Sequence, residues 1–286
     1  DGPLASLGSA GVASDHAGAW YVATKDSLLH VSAAGRVRRV AALPEGEVFN
    51  RNAASPDGSA VFVADYSSHD IRRVDVATAQ VTTLVDSLDA DEAAQFDGPA
   101  AIAISPDGSA LFVADSANNK IRRVEVATGA VTTIAGSGED GSTDGVGGAA
   151  QFCIPCGLAI SQDGGALFVA DSSDDKIRRV EVATGEVTTV AGSGMMGSAD
   201  GVGDAARFDF PIGIAISQDG SALFVADYEN HKIRRVEVAT GAVTTLAGSG
   251  TWGSTDGVGD AAQFRVPHGV AIGPDGVARC VAGGMN

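Results

Sequence analysis

The 286-residue chain has few aromatic residues, few cysteines and no long apolar run. Aromatics make up only 5% of the chain, so its core must consist mostly of alanine, valine, isoleucine and leucine. No apolar stretch is long enough to span a bilayer, which excludes insertion into a membrane as helices. Three cysteines set no redox compartment. The sequence also lacks any N-x-S/T acceptor for N-glycosylation.

Basic residues are also scarce. The 19 lysines and arginines stand against 36 acidic residues, giving a formal net charge of −17. Because nucleic-acid affinity depends on a basic surface, we predict no nucleic-acid partner. Four arginine pairs recur at the same position of the repeat, and each is followed two positions later by Asp or Glu. We expect these arginines to be solvated or paired with those acids on the strand surface. The pairs are Arg72-Arg73, Arg122-Arg123, Arg178-Arg179 and Arg234-Arg235.

What the chain does have is an internal repeat. The stretch from Ile102 to Gly136 returns almost unchanged at 158–192 and 214–248, and looser copies flank these. Its "FVAD" word places Asp115, Asp171 and Asp227 at equal steps of 56 residues. Each copy contains four short β-branched or apolar runs separated by turn signals such as Ser-Pro-Asp-Gly. A ring of four-stranded sheets buries such runs on both faces, so the repeat predicts a β-propeller.

The repeat also resembles a known family. The segment GLAISQDGGALFVADSSDDKIRRVEVATG, residues 157–185, is similar to the NHL repeat, as are its counterparts at 102–129 and 213–241. The YVTN propeller is the next nearest family, because its core word is similar. The Gly-His and Trp-Asp signatures of a WD propeller are absent. The resemblance covers nearly the whole chain and implies an NHL-like propeller.

Counting the copies predicts an all-β, six-bladed propeller of four-stranded antiparallel blades in a single domain. The last blade is expected to be incomplete or closed by the N-terminal strand from Asp1 to Gly8, because an open ring would expose unpaired edges. We further expect the chain to be part of a larger protein. The predicted blades span residues 11–46, 51–96, 97–152, 153–208, 209–264, and 265–286 together with 1–8.

The turns fall on two faces of the ring. On one face the copies hardly vary, whereas on the other face, which we call the loop face, the connections between blades and the turns between second and third strands diverge. Loops on a rigid scaffold commonly carry function, although drift after duplication predicts variation too. Large apolar residues at loop tips favour a binding role. The candidate partner-binding residues are Met195, Met196, Thr251, Trp252, Tyr228 and His231.

Other motifs have structural interpretations. The "DGVGxAAxF" connections carry a lone Asp among small residues, which suits tight backbone paths better than a calcium loop. The repeated Asp of "FVAD" is expected to accept backbone N–H bonds in a turn rather than to act as a catalytic acid. Cys153 and Cys156 form a CxxC pair, for which a local disulfide, plain thiols and half a metal site remain open. We predict no metal and no cofactor.

An enzyme of this type would need an acid–base or metal-binding cluster where the first strands begin. In the best-aligned copies the residues at the start of the first strand are Ala100, Cys156, Ile212 and His268. This set contains no acid–base pair. We therefore predict a non-enzymatic protein-interaction or structural scaffold module, whose partner is a protein or a neighbouring subunit of a larger assembly. The alternative is a metal-dependent lyase or lactonase-like enzyme at the mouth of the channel, as the family resemblance implies.

Overall fold

Short strands rich in valine, isoleucine and alanine pair with their neighbours in sequence, because a two- to five-residue turn returns each strand antiparallel to the last. The computed structural model describes residues 11–14, 19–24, 26–43, 51–87, 91, 94–273 and 278–282. Within these ranges the strands form three four-stranded and two five-stranded sheets, each a blade, and one two-stranded sheet.

The blades follow the sequence order. Blade one contains β1 (Gly11–Ser14), β2 (Trp20–Ala23), β3 (Ser27–Val31) and β4 (Val37–Ala42). Blade two contains β5 (Arg51–Ala54), β6 (Ala60–Asp65), β7 (Asp70–Asp75) and β8 (Val81–Val85). Blade three contains β9 (Pro99–Ile104), β10 (Ala110–Asp115), β11 (Lys120–Glu125) and β12 (Val131–Ala135).

Blades four and five each gain a fifth, two-residue strand from the connection that enters them. Blade four contains β13 (Gly145–Val146), β14 (Pro155–Ile160), β15 (Ala166–Asp171), β16 (Lys176–Glu181) and β17 (Glu186–Ala191). Blade five contains β18 (Gly201–Val202), β19 (Pro211–Ile216), β20 (Ala222–Asp227), β21 (Lys232–Glu237) and β22 (Ala242–Ala247). The two-stranded sheet contains β23 (Pro267–Ile272) and β24 (Ala278–Ala282).

The innermost strands form a closed ring. Each first strand contacts the first strand of the next sheet, in the order β1, β5, β9, β14, β19 and β23, and β23 contacts β1. The two-stranded sheet therefore occupies a sixth position between blades five and one. The segment predicted to complete that position, Asp1 to Gly8, lies outside the described residues.

The β-propeller prediction is confirmed, but the prediction of six blades is wrong, because the structure has five. At the sixth position only the inner two strands are present among the described residues. In the described part of the stretch after Pro267, β23 pairs with β24, and no strand there corresponds to the third and fourth strands that follow β20 in blade five.

The core lies in layers between adjacent blades. The second strands β6, β10 and β15 are buried along their whole length, as their apolar residues on both faces predict. Phe152, at the end of a connection, is fully buried in a cluster that includes Ile121 of blade three and Leu167 of blade four. The connections that end at Phe96, Phe152 and Phe208 thus each place an aromatic ring between the blade they leave and the blade they enter.

The first arginine is buried in three of the four pairs, which the sequence analysis missed, whereas Arg72 is partly exposed. Arg122, Arg178 and Arg234 are at most 2% exposed. Arg178 Nη1 donates to Asp171 Oδ2 at 2.8 Å and to the carbonyl oxygen of Gln151 at 3.1 Å, while its guanidinium carbon lies 5.4 Å from the Phe152 ring centroid. Burial of a charge requires such pairing and hydrogen bonding. The prediction of solvated arginines is therefore wrong for the first member of these pairs.

The second member behaves as predicted. Arg123 pairs with Glu125 and Arg179 pairs with Glu181, each on the partly exposed face of its strand. The "FVAD" aspartates also differ from the expectation in part. Asp65 accepts hydrogen bonds from Ser67 and Ser68 in the following turn. In the later blades the carboxylate instead accepts a backbone N–H from the segment entering the blade, as Asp171 does from Cys153 at 2.8 Å.

Candidate functional site

The face opposite the loop face is built from one repeated turn. In blade three, Ser105 Oγ donates to Asp107 Oδ1 at 2.5 Å, the Ser109 N–H donates to the same oxygen at 3.0 Å, and Gly108 has φ +74°. These two hydrogen bonds lower the pKa of Asp107 to about 2. Asp57 and Asp219 have the same surroundings and the same pKa. The repeated serine and aspartate side chains of this face therefore serve the geometry of the turn.

On the loop face, one left-handed residue closes each turn between second and third strands. This residue accepts a hydrogen bond from the backbone of the next sheet and so ties adjacent blades together. The four positions are His69 (φ 62°), Asn119 (φ 52°), Asp175 (φ 52°) and His231 (φ 54°). His231 Nδ1 accepts from the Val266 N–H at 3.4 Å, as Asp175 Oδ1 does from the Phe210 N–H at 2.8 Å. His231 is half-buried and joins blade five to β23.

Two pairs of candidate residues occupy the same tip of successive connections. Met195-Met196 and Thr251-Trp252 each follow a Gly-Ser-Gly turn in which the serine Oγ accepts the first residue's N–H, at 3.2 Å for Met195 and 3.1 Å for Thr251. The side chains extend into solvent. Met195 is 55% exposed, Met196 71% and Trp252 60%.

Contacts with neighbouring turns hold these tips in place. Asn230 Nδ2, in a turn of blade five, donates to the carbonyl oxygen of Gly197 at 2.8 Å, just beyond Met196. The Arg265 guanidinium carbon lies 4.7 Å from the Trp252 ring centroid, within the range of a cation–π contact. The tryptophan therefore rests against its own connection on one side and remains open on the other.

Tyr228 lies closer to the central channel than the tips do. Its ring meets the His268 ring edge-on at 4.8 Å and the Phe210 ring at 6.2 Å. In the equivalent position of blade four, Ser172 Oγ donates to the carbonyl oxygen of Pro211 at 2.6 Å. Tyr228 is thus a half-buried residue of the channel mouth, whereas Trp252 and the methionines are open tips of the same face.

The channel mouth holds one residue that the sequence analysis did not single out, Arg51. Its Nη2 donates to the carbonyl oxygen of His268 at 3.0 Å, and burial lowers its pKa. Strand pairing places Arg51 where later copies have Ala101, Gly157 and Gly213. A Cβ on Gly157 would lie 2.0 Å from the carbonyl oxygen of Ile212, and one on Gly213 would lie 2.4 Å from that of His268, so blades four and five have no room for a side chain here. The sequence did contain a signal for Arg51, because it is an arginine at a repeat position where the later copies have alanine or glycine.

The predicted mouth residues are brought together but do not form an acid–base pair. His268 is 4% exposed, and burial, aided by the charge of Arg51, lowers its pKa to about 4. Burial raises the pKa of the Cys156 thiol. At neutral pH the mouth therefore contains a guanidinium, a neutral imidazole and a protonated thiol.

These groups do not fit a metal ion. No set of three His, Cys, Asp or Glu side chains in the described part of the chain could hold one, and the charge of Arg51 would oppose a cation. Cys153 and Cys156 are free thiols in the structure, and Cys156 Sγ donates to the carbonyl oxygen of Ile154 at 3.3 Å. Oxidation of the pair to a disulfide stays a prediction.

The blades form a closed ring, buried Arg–Asp pairs lie within blades three to five, and divergent tips lie on one face. This arrangement defines a β-propeller of repeated blades. The profile of the SMP-30/gluconolactonase/LRE-like region matches residues 4–147, about half of the chain, and the chain belongs to this family. Within the described residues, no helix has the length and apolar character needed to cross a membrane.

Comparison with known proteins also confirms the resemblance to NHL repeats. The chain is 35% identical over 161 residues to NHL repeat-containing protein 2 of Bos taurus, a match that covers 52% of this chain and 22% of that protein. The chain thus spans about a fifth of the length of this relative.

Solved structures show the same fold. A protein of unknown function from Bacteroides thetaiotaomicron superposes with a TM-score of 0.75 at 18% identity, covering 98% of this chain and 68% of that one. A gluconolactonase from Xanthomonas campestris superposes with a TM-score of 0.67 at 15% identity, covering 97% and 86% of the two chains. At these identities the likeness establishes the fold alone.

Proposed function

We propose that this propeller is a non-enzymatic interaction or structural scaffold module, which binds a protein partner or a neighbouring subunit of a larger assembly through the tips of its loop face. The observation that carries the proposal is the exposure of three large apolar side chains, Met195, Met196 and Trp252, at equivalent tips of adjacent connections. Exposing them costs free energy in water, and tryptophan and methionine are enriched at the cores of interfaces.

The same tip in blade three shows that the fold does not need these side chains. Glu139 and Asp140 stand there, both exposed, and the backbone around them has the same turn, with the Glu139 N–H donating to Ser137 Oγ at 3.1 Å. An apolar tip is therefore an addition in blades four and five rather than a requirement of the turn. Arg265 restricts the Trp252 ring, which lowers the entropy lost when a partner covers its open side.

The negative charge of the surface around the tips narrows the class of partner that could bind there. Exposed acids surround the tips, including Glu139 and Asp140 on one side and Glu229 on the other, and the whole chain carries a net charge of −17. Such a surface repels nucleic acid and anionic membranes. It suits a protein surface with an apolar centre and a basic rim, because complementary charge speeds encounter and excludes wrong partners.

The test replaces the apolar tips by the chain's own polar version. Trp252→Ala and Trp252→Asp, the latter copying Asp140, should weaken partner binding by about 2 kcal/mol or more, the range of an interface hot spot. The melting temperature should change little, since blade three folds with Asp at this site. Partners recovered by wild-type chain and lost with the variants are then purified and titrated by calorimetry.

Val146→Ala is the matched control. Val146 is 57% exposed but lies on β13, at the outer edge of blade four, so its truncation should leave binding unchanged. If Trp252→Ala lowers the melting temperature strongly while binding is unaffected, Trp252 is a local packing residue and the proposal fails.

A second candidate is the metal-dependent lyase or lactonase-like enzyme at the channel mouth. Membership of a family that includes gluconolactonases favours it, and so does the cluster of half-buried Arg51 and Cys156 with buried His268. The cluster does not fit a metal ion, so no step through a metal is derived. Hydrolysis of a panel of lactones, with and without added divalent cations, tests the candidate. Turnover that is lost in His268→Ile would overturn the non-enzymatic proposal.

A further inference from the structure

The residue just before the first strand of blades four and five has a left-handed backbone, although it is a large apolar residue. Ile154 and Phe210 both have φ 52°, and each precedes a proline. A β-branched or bulky side chain is strained in this region, and a residue before proline is normally extended. Gly98 holds the same position in blade three with φ 59°, which glycine adopts without strain. Ile154 and Phe210 therefore occupy this position at a cost in stability.

Hydrogen bonds from neighbouring turns impose this backbone. The Ile154 N–H donates to Asn119 Oδ1 at 2.9 Å, and the Ile154 carbonyl oxygen accepts from the Ser172 N–H at 3.3 Å. The Phe210 N–H donates to Asp175 Oδ1 at 2.8 Å. Because the first strands form the innermost ring of the propeller, both residues lie at the inner edge of the loop face. We call Ile154 and Phe210 the inner rim.

The side chains of the inner rim are not fully packed into the core. Ile154 is 42% exposed, and Phe210 is half-buried with its ring centroid 6.2 Å from that of Tyr228. A side chain that is both strained and exposed adds little to the stability of the fold. Strained residues of this kind cluster at functional sites, so their presence here favours a role in binding.

Carboxylates lie beside Ile154. Asn119, which accepts the Ile154 N–H, donates through Nδ2 to Asp140 Oδ1 at 2.7 Å. Asp174 belongs to the turn whose N–H groups donate to the backbone of Ile154 and its neighbour. Burial raises the pKa of Asp174, and the charge of Asp140 adds to the rise while that of Lys176 opposes it. Two carboxylates that repel one another therefore flank Ile154.

Phe210 has similar surroundings. Asp175 accepts its N–H, and Asp209 precedes it and accepts the Glu229 N–H through the backbone at 3.2 Å. Burial raises the pKa of Asp175, the hydrogen bond from Phe210 opposes the rise, and the charges of Asp209 and Asp174 add to it. Apolar side chains thus alternate with mutually repelling carboxylates along the inner rim.

We propose that the inner rim binds a segment of the partner protein in which apolar residues alternate with lysines or arginines. The inference rests on the proposed function, because it extends the binding surface inward from the tips: the connection that carries Met195 ends at Phe210. The apolar residues of the segment cover Ile154 and Phe210, and its basic residues pair with Asp174 and Asp175. Such pairing relieves the repulsion among the carboxylates, whereas an acidic segment adds to it.

The first experiment asks whether the fold needs the side chain of Ile154. Ile154→Gly places glycine where it is unstrained, so the melting temperature of the full chain should stay within about 2 °C of wild type or rise. Leu246→Gly is the matched control, because Leu246 is 44% exposed but lies on β22, where glycine is unfavourable. Its melting temperature should fall by about 4 °C or more. An equal fall in Ile154→Gly overturns the inference, since Ile154 is then a packing residue.

The second experiment measures binding by fluorescence anisotropy at about 0.15 M salt. The probe is a short labelled peptide of alternating leucine and lysine. Its affinity should fall about tenfold in Ile154→Gly and in Asp174→Asn, because the first loses an apolar contact and the second a charge-assisted hydrogen bond. Asp204→Asn should leave the affinity unchanged, because Asp204 is exposed in the 3-10 turn after β18. Peptides with glutamate for lysine, or with serine for leucine, should bind at least about tenfold more weakly.

Three binding results would overturn the inference: no binding of the leucine–lysine peptide at millimolar concentration, equal binding of the serine–lysine peptide, or binding that neither Ile154→Gly nor Asp174→Asn weakens. In the last two cases the general negative charge of the chain holds the peptide. The proposed function fails by a different result, namely a purified partner whose binding Trp252→Ala leaves unchanged. A partner that is lost with Trp252→Ala but kept by Ile154→Gly and Asp174→Asn rules out the inner rim alone.

Discussion

Blade five and the two-stranded sheet at the sixth position receive almost the same connection from the blade before them, DGVGDAARF in one case and DGVGDAAQF in the other. In blade five the aspartate of this connection binds Arg234 and Thr245, its valine is part of a strand, and its phenylalanine is fully buried. At the sixth position the corresponding groups are exposed or half-buried. The difference shows that the connection has the same local conformation in both places, although the described residues include third and fourth strands only in blade five.

The largest effect is expected from removing the buried arginine of blade five. Arg234→Met leaves Asp227 buried without its 2.7 Å partner, so we expect a loss of about 3–5 kcal/mol in the free energy of unfolding. Burial already raises the pKa of Asp227 to about 6. Without the arginine its ionisation becomes costlier, so the loss should be larger at pH 8 than at pH 5. Urea unfolding measures both values.

The neighbouring Arg235→Met is the control for that prediction, because Arg235 lies on the partly exposed face of the same strand. Its cost should stay within about 0.5 kcal/mol. Equal losses in the two variants would mean that the buried network of blade five contributes nothing particular to the fold.

The next effect concerns His268, whose counterpart in blade five is Ile212. Its pKa of about 4 in the folded state is below the ordinary value of 6.5, so as the pH falls the unfolded chain takes up the proton first. The stability of wild type relative to His268→Ile should therefore be constant above pH 6.5 and fall by about 3 kcal/mol towards pH 4. Taking the difference between the two proteins cancels the other titrating groups. A difference that does not change with pH would show that His268 titrates normally in the folded protein.

The smallest effect comes from comparing Asp200 with Asp256, its counterpart in the next connection. Asp200→Asn weakens bonds to Arg234 and Thr245, but the side chain is 49% exposed, so solvent screens the pair and we expect a loss of about 1 kcal/mol. Asp256→Asn should change the free energy of unfolding by less than about 0.5 kcal/mol. Thermal unfolding of the two variants side by side measures this contrast. If Asp256→Asn costs as much stability as Asp200→Asn, Asp256 accepts hydrogen bonds in the folded chain as Asp200 does.

Much of the fold followed from patterns within one repeat. The Ser-Pro-Asp-Gly turns and the alternation of β-branched runs predicted the strands, including those of the divergent first copy. Turns and strand pairing within a blade involve residues close in sequence. The same local reasoning placed Met195 and Trp252 at equivalent tips. It misjudged the number of blades, since it counted the two-stranded start of a sixth copy as a sixth blade, incomplete or closed by the N-terminal strand.

What the sequence by itself determined is the repeated blade, the order of its strands and the residues on each turn, because those depend on contacts within about 35 residues. Only the tertiary structure decided which of two adjacent, identical arginines is buried, since Arg234 and Arg235 point to opposite sides of one strand and only the ring makes one of those sides an interior. It also decided that Arg51, from blade two, meets His268, which lies 217 positions further along the chain. Closing a ring brings such distant residues together, and no property of either residue's neighbours in sequence indicates it.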